Sequence, residues 1–226
     1  MNSRERTKNT TSARRALAVQ LFNAGVVRAG TPRTPVQVDL KRLLEHPALS
    51  AHLSAMLWSL KDRGEQYDRV CGIPFDAVSR CGIPYRGITC AYQISSQAKI
   101  PMLLRHPAAA AGGALDGEFQ IGDRVVIVDD QICNGNDIIE TAVILLKRKL
   151  KVGEALVVID GEQGGLENLA NAGIQVKSLF GISELIGYLK DAAKIPNCER
   201  ASVIENEQTG VVWEVPGRRA NRRMGV

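Results

Sequence analysis

Residues 125–137, VVIVDDQICNGND, constrain the fold of this chain more than any other stretch. Val125 to Val128 form a short apolar run of the kind that becomes a buried strand. Asp129 and Asp130 stand where that strand ends, and a short loop containing Gly135 follows. Ile138, Ile139, Ala142, Leu145 and Leu146 then recur at helical spacing. A strand, an acidic pair, a turn and a helix outline a sugar-phosphate site, because ligands in open α/β sheets bind beyond the carboxyl ends of strands. The residues chosen for the loop do not suit that task.

The same alternation continues around it. Helical spacing is expected over 13–24, 47–63, 137–149, 165–172 and 184–193, with Pro47 opening the second helix and Ser183 capping the last. Strands are expected at 36–39, 68–73, 100–104, 124–129, 155–160 and 174–180. Strands alternating with helices over short connections imply a parallel sheet covered on both faces. At 226 residues, 45% of them hydrophobic, the chain suffices for one such domain with extensions. Residues 1–12 read as a basic disordered tail, 13–195 as the domain, and 196–226 as an extension ending in a second basic tail. Within that extension 201–204 and 211–215 read as a hairpin.

The net charge of +5 belongs to the termini. Arg4, Arg6, Lys8, Arg14 and Arg15 against Glu5 give the first fifteen residues +4, and Arg218, Arg219, Arg222 and Arg223 give the last ten +4. The body is therefore about −3 and lacks the bulk signature of a nucleic-acid binder, leaving the tails as the candidate RNA contact. The acid-poor N-terminus also admits a mitochondrial import reading beside a cytoplasmic one. Five cysteines without a CxxC pair suggest a reducing compartment, and with three scattered histidines they show no metal-ligand spacing. No apolar run approaches the ~18 residues of a membrane span.

Five segments carry a family resemblance: YDRVCGIP, AKIPMLLR, VVIVDD, VVIDGEQGG and RAGTPRTPVQVDL. In order and spacing they resemble the orotate phosphoribosyltransferase family, above all the orotate domain of eukaryotic UMP synthase, across about residues 16–190. The resemblance implies a type I phosphoribosyltransferase fold: a central parallel sheet flanked by helices, with a small hood from the N-terminal segment. It also implies a homodimer, and Mg²⁺ with phosphoribosyl pyrophosphate as co-substrate. Asp129 and Asp130 then correspond to the pair that contacts the ribose hydroxyls. Gly135 falls in the 5′-phosphate loop, Arg86 in the pyrophosphate loop and Arg105 at the catalytic lid. Arg28 and Gln163 fall in the orotate pocket.

Four departures from that pattern weigh against catalysis. The phosphate loop normally offers small hydroxyls, whereas Cys133, Asn134, Asn136 and Asp137 stand there. An Asp137 carboxylate ~4 Å from a phosphate near a protein surface would repel it by roughly 4 kcal/mol, and as an N-cap it would satisfy the helix N–H groups itself. The lid keeps Arg105 but continues His106-Pro107-Ala108-Ala109-Ala110-Ala111 without the lysines that neutralise a leaving pyrophosphate. Gly161 replaces the arginine that pairs with the orotate carboxylate. CGIPF at 71–75 recurs as CGIPY at 81–85, an apparent duplication within 71–90 that lengthens the pyrophosphate loop.

The sequence reading is accordingly a family member of impaired catalysis, serving as a structural or regulatory subunit paired with itself or another protein. It requires no cofactor, and Mg²⁺ only if phosphoribosyl pyrophosphate is still bound. The alternatives are an active orotate phosphoribosyltransferase making orotidine 5′-phosphate and an RNA-binding regulator.

Overall fold

The computed structural model describes residues 3–30, 36–74, 86–105, 115–195, 202–206 and 210–214, with side chains for 10–30, 36–74, 87–105 and 115–195. Helix α1 spans Ser3–Asn23. Strands β1 (Val27–Ala29) and β2 (Val36–Val38) follow, then a 3-10 segment Leu40–Glu45 and α2 (Pro47–Trp58). Next come β3 (Arg69–Gly72), α3 (Arg86–Ala98), β4 (Met102–Arg105), β5 (Leu115–Asp116) and β6 (Arg124–Ile132). Then α4 (Asn136–Lys147), β7 (Lys151–Asp160), α5 (Gly165–Asn171), β8 (Gln175–Gly181) and α6 (Ile182–Asp191) complete the body. The extension supplies β9 (Ser202–Asn206) and β10 (Gly210–Glu214).

The main sheet has the order β5-β4-β3-β6-β7-β8 and is parallel except for β5, which runs antiparallel on the edge beside β4. The sheet is thus mixed rather than purely parallel. A two-residue strand in the Ala/Gly-rich stretch has too little pattern to be read from sequence. Along β6, Val125 and Ile127 join one core with α4 and α5. Val126 and Val128 join the other, with α1, α2, α3 and α6. Burial on both faces is why these strands read as unbroken apolar runs.

Several boundaries moved. Residues 3–12 are helical, because α1 begins at Ser3 rather than Ala13. Leu17, Ala18 and Leu21 are fully packed, and once such a segment is held, each added residue extends the helix without a new nucleation cost. Arg14 and Arg15 of the basic N-terminus pair with Glu184 and Asp191 of α6, at 3.5 and 3.3 Å. Strand β6 runs past its expected end to Ile132, because β7 pairs with it as far as Ile132↔Asp160. The acidic pair therefore sits within the last residues of a strand. The N-cap of α6 is Gly181, not Ser183, which lies one turn position inside.

Strands β1 and β2 form the hood, and the C-terminal hairpin joins it: the hood sheet has the order β1-β2-β10-β9, all antiparallel. The extension thus packs on the body's own hood. Among the described residues no helix is long and apolar enough to cross a membrane.

Helix α5 approaches the β6–α4 loop closely enough to require glycine. A Cβ on Gly165 would meet Ile132 Cγ2 and would lie 2.6 Å from the Cys133 carbonyl oxygen. Gly165→Ala is expected to lower the unfolding free energy by about 1–3 kcal/mol through overpacking. Urea denaturation checks it, and an unchanged midpoint would mean that α5 shifts away freely.

Candidate active site

Strand order in the main sheet creates one crevice. From β3 the chain crosses through α3 to β4 on one side. From the adjacent β6 it crosses through α4 to β7 on the other. Chain direction across the sheet reverses between β3 and β6, and ligands in open α/β sheets bind at such a switch point. The carboxyl end of β3 carries Cys71, Gly72, Ile73 and Pro74, and that of β6 carries Asp129 and Asp130.

Both carboxylates are buried, with exposures of 7% and 6%. The Asp130 backbone N–H donates to Asp129 Oδ1 at 2.8 Å. Burial, then the neighbouring Asp130 and Asp137 carboxylates, hold the Asp129 carboxyl well above the usual carboxylate range. Two buried acids in contact share protons as a unit. The pair offers acceptors to sugar hydroxyls or to a cation.

The loop that follows is held by its own groups and by neighbours on β6 and α5. Asn134 Oδ1 accepts the Asn136 N–H at 3.0 Å, and Asn168 Nδ2 donates to the Asn134 carbonyl at 3.1 Å. Gln131 Nε2 donates to Cys133 Sγ at 3.3 Å. Gly135, with φ of 81°, is the N-cap of α4, and no side chain caps it. The N-cap position is therefore Gly135 rather than Asp137. Asp137 lies in the first helical turn, where its carboxylate adds to the field at Asp129 and favours the positive helix end.

Arg105, the surviving lid residue, is 9% exposed and is engaged by α4. Its guanidinium donates to Glu140 Oε2 at 2.8 Å, to Thr141 Oγ1 at 3.0 Å and to the Asp137 carbonyl at 3.4 Å. It fastens β4 to α4. The anchoring Glu140 and the fully buried Thr141 lie in the middle of α4 and gave no sequence signal.

The end of β7 repeats the strand–carboxylate–turn pattern of β6. Asp160 is buried, and burial pushes its carboxyl upward against the lowering effect of the Glu162 N–H, which donates to Asp160 Oδ1 at 2.9 Å. Sequence reasoning missed Asp160, although its place before a Gly-rich turn matches that of Asp130. The Gly161 N–H donates to the Ile132 carbonyl at 2.8 Å, so this turn adjoins the end of β6. Gln163 is exposed on that turn. Arg28 is exposed on β1, opposite Gln37. Arg86 opens α3, and its side chain lies outside the described residues, as do 75–85, which hold most of the duplication, and the lid residues 106–114.

No family model matches the chain. It is 33% identical over 182 residues to uridine 5′-monophosphate synthase from Bos taurus, covering 78% of this chain and 36% of that protein. It is 30% identical over 179 residues to orotate phosphoribosyltransferase from Chlamydia pneumoniae, covering 74% of this chain and 79% of that one. The chain belongs to the orotate phosphoribosyltransferase family.

Solved structures agree. Leishmania donovani UMP synthase superimposes with a TM-score of 0.67 at 26% identity, over 81% of this chain and 39% of that one. Orotate phosphoribosyltransferase from Aeropyrum pernix gives 0.62 at 25%, over 78% and 98%. The fold is therefore that of the type I phosphoribosyltransferases. The chain spans about a third of the length of the UMP synthases it matches and most of the length of the single-function orotate phosphoribosyltransferases.

In this family frame, the described residues contain no group of three His, Cys, Asp or Glu side chains able to hold a metal. A Mg²⁺ would fit here only as Mg²⁺ usually binds, through one or two carboxylates and a substrate's phosphate oxygens. Asp129 and Asp130 are the carboxylates that would serve.

Proposed function

We propose that this protein joins orotate to phosphoribosyl pyrophosphate in pyrimidine nucleotide synthesis, giving orotidine 5′-phosphate and pyrophosphate. The observation that carries the reading is the buried Asp129–Asp130 pair at the switch point of a chain that shares 30% identity with an orotate phosphoribosyltransferase over most of its length. Phosphoribosyl pyrophosphate is the co-substrate, with Mg²⁺ on its diphosphate. The acidic pair receives the ribose hydroxyls and faces positive charge as it develops at the anomeric carbon. The α4 N-terminus beyond Gly135 receives the 5′-phosphate. Arg28 of the hood and Gln163 of the β7–α5 turn receive orotate.

A second reading, of a family member with little catalysis that acts as a structural or regulatory subunit, is favoured by specific residues. Arg105 is spent on Glu140, Asp137 brings a carboxylate to the phosphate end of α4, and Gly161 holds no cation for the orotate carboxylate. One experiment separates the two. Orotate consumption with phosphoribosyl pyrophosphate and Mg²⁺ is followed by absorbance, and binding of each ligand by calorimetry. Turnover supports the first reading. Absence of both turnover and binding supports the second, and Asp137→Ser with Gly161→Arg should then restore binding. The RNA reading loses part of its support, because Arg14 and Arg15 are engaged by α6.

A further inference from the structure

Glu162 holds a backbone conformation that costs energy. Its φ is 58°, in the left-handed region that side chains other than glycine, asparagine and aspartate seldom adopt. It lies between Gly161 and Gln163 on the turn that closes β7, so its conformation sets the direction of both neighbours. Two interactions hold it. Its N–H donates to Asp160 Oδ1 at 2.9 Å. Its carboxylate reaches across to α6, where Oε1 accepts the Ser183 N–H at 3.2 Å and Oε2 accepts the Ser183 hydroxyl at 2.5 Å.

The recipient is built for that carboxylate. Helix α6 has no side-chain cap of its own, and its N-cap is Gly181. A Cβ on Gly181 would stand 2.6 Å from Glu162 Oε1, so a larger residue would displace the carboxylate. Glu162 therefore caps α6 from another segment, with its negative charge at the positive end of the helix. The next residue of α6, Glu184, pairs with Arg14 of α1 and accepts the Tyr188 hydroxyl at 2.6 Å. Helix α1 leads directly into β1, which bears Arg28. One helix thus braces the turn that bears Gln163 and the helix that leads to the hood.

We propose that Glu162 is a positioning residue that fixes the 161–165 turn of the nucleobase pocket by clamping it to the start of α6. The assignment to the nucleobase side rests on the orotate reading above. The clamp predicts an effect on one substrate rather than two, because the ribose and phosphate ligands lie on β6 and α4.

The test uses the full chain with Glu162→Ala, Ser183→Ala and Glu162→Gln, the last of which keeps an acceptor for the Ser183 N–H. Steady-state KM for each substrate is measured with amide hydrogen exchange across 161–165. Glu162→Ala is expected to raise the orotate KM about tenfold while leaving the KM for phosphoribosyl pyrophosphate within about twofold, as suits the loss of one charged cap. Ser183→Ala should shift the orotate KM in the same direction by less, and Glu162→Gln should recover much of the loss. Exchange at 161–165 should accelerate in Glu162→Ala. Equal changes in both KM values, or no change in either, would overturn the clamp. If the wild-type chain makes no orotidine 5′-phosphate, the orotate reading has failed, and exchange alone then decides the clamp: acceleration supports it and unchanged exchange overturns it.

Discussion

Asp129→Asn is expected to make the protein more stable at pH 8 and worse at binding phosphoribosyl pyrophosphate. Burial and two neighbouring carboxylates raise the Asp129 carboxyl well above its usual range. A group whose pKa is raised on folding contributes its full stability below the unfolded value, about 3.9. That contribution is lost as pH rises through the folded value, because the unfolded chain releases the proton first. Asparagine has no proton to lose, so the gain over wild type should be negligible near pH 4 and grow toward pH 8. For a chain of this size each kcal/mol moves the melting temperature by about 2–4 °C, which differential scanning fluorimetry resolves. Under the transferase reading the same substitution removes a charged partner of the ribose, and affinity should fall by about 10–100-fold. A variant less stable than wild type at pH 8 would sink the account of the pair as a repulsive, function-serving site.

The second large effect lies at the opposite end of the sheet. Glu154 on β7 is 1% exposed. Its carboxylate accepts the Tyr67 hydroxyl at 2.8 Å and the Asp62 N–H at 3.2 Å, and pairs with Lys177 of β8 at 2.9 Å. Lys177 also pairs with Asp62 at 2.6 Å. Burial lowers the Lys177 pKa, but its hydrogen bonds to Asp62 and Glu154 outweigh that and leave it raised. That contribution is complete at neutral pH and is lost only as pH rises through the folded lysine value. Lys177→Met should cost about 3 kcal/mol, because it strands a buried carboxylate, although the partial exposure of Lys177 keeps the loss at the lower end. Adding Glu154→Gln should recover most of it. A Lys177→Met melting temperature equal to wild type at pH 7 would show that the network is only decorative.

The main sheet was legible because its signals are local. Val125–Val128, Ala155–Asp160 and the apolar spacing of α4 are set by burial against the two layers beside them, and burial leaves its mark in composition. Other elements left too short or too irregular a pattern to be read. Strand β1 is three residues of a hood whose partner is β2, β5 is two residues on an edge, and α3 starts at Arg86 after a repeat that reads as loop. The site divides in the same way. Asp129 and Asp130 announced themselves by following an apolar strand. Nothing in the order of residues told that Arg105 would turn to Glu140, or that Glu162 would cap a helix that begins twenty residues later.

The sequence by itself therefore determined the family, the alternating architecture and the acidic pair, since motif order and apolar period survive without coordinates. Only the tertiary structure decided which charged groups face the crevice and which are consumed in holding it. That choice depends on partners distant in sequence, such as Arg105 with Glu140 and Lys177 with Glu154, and on burial that, with the neighbouring carboxylates, holds the Asp129 carboxyl above the usual carboxylate range.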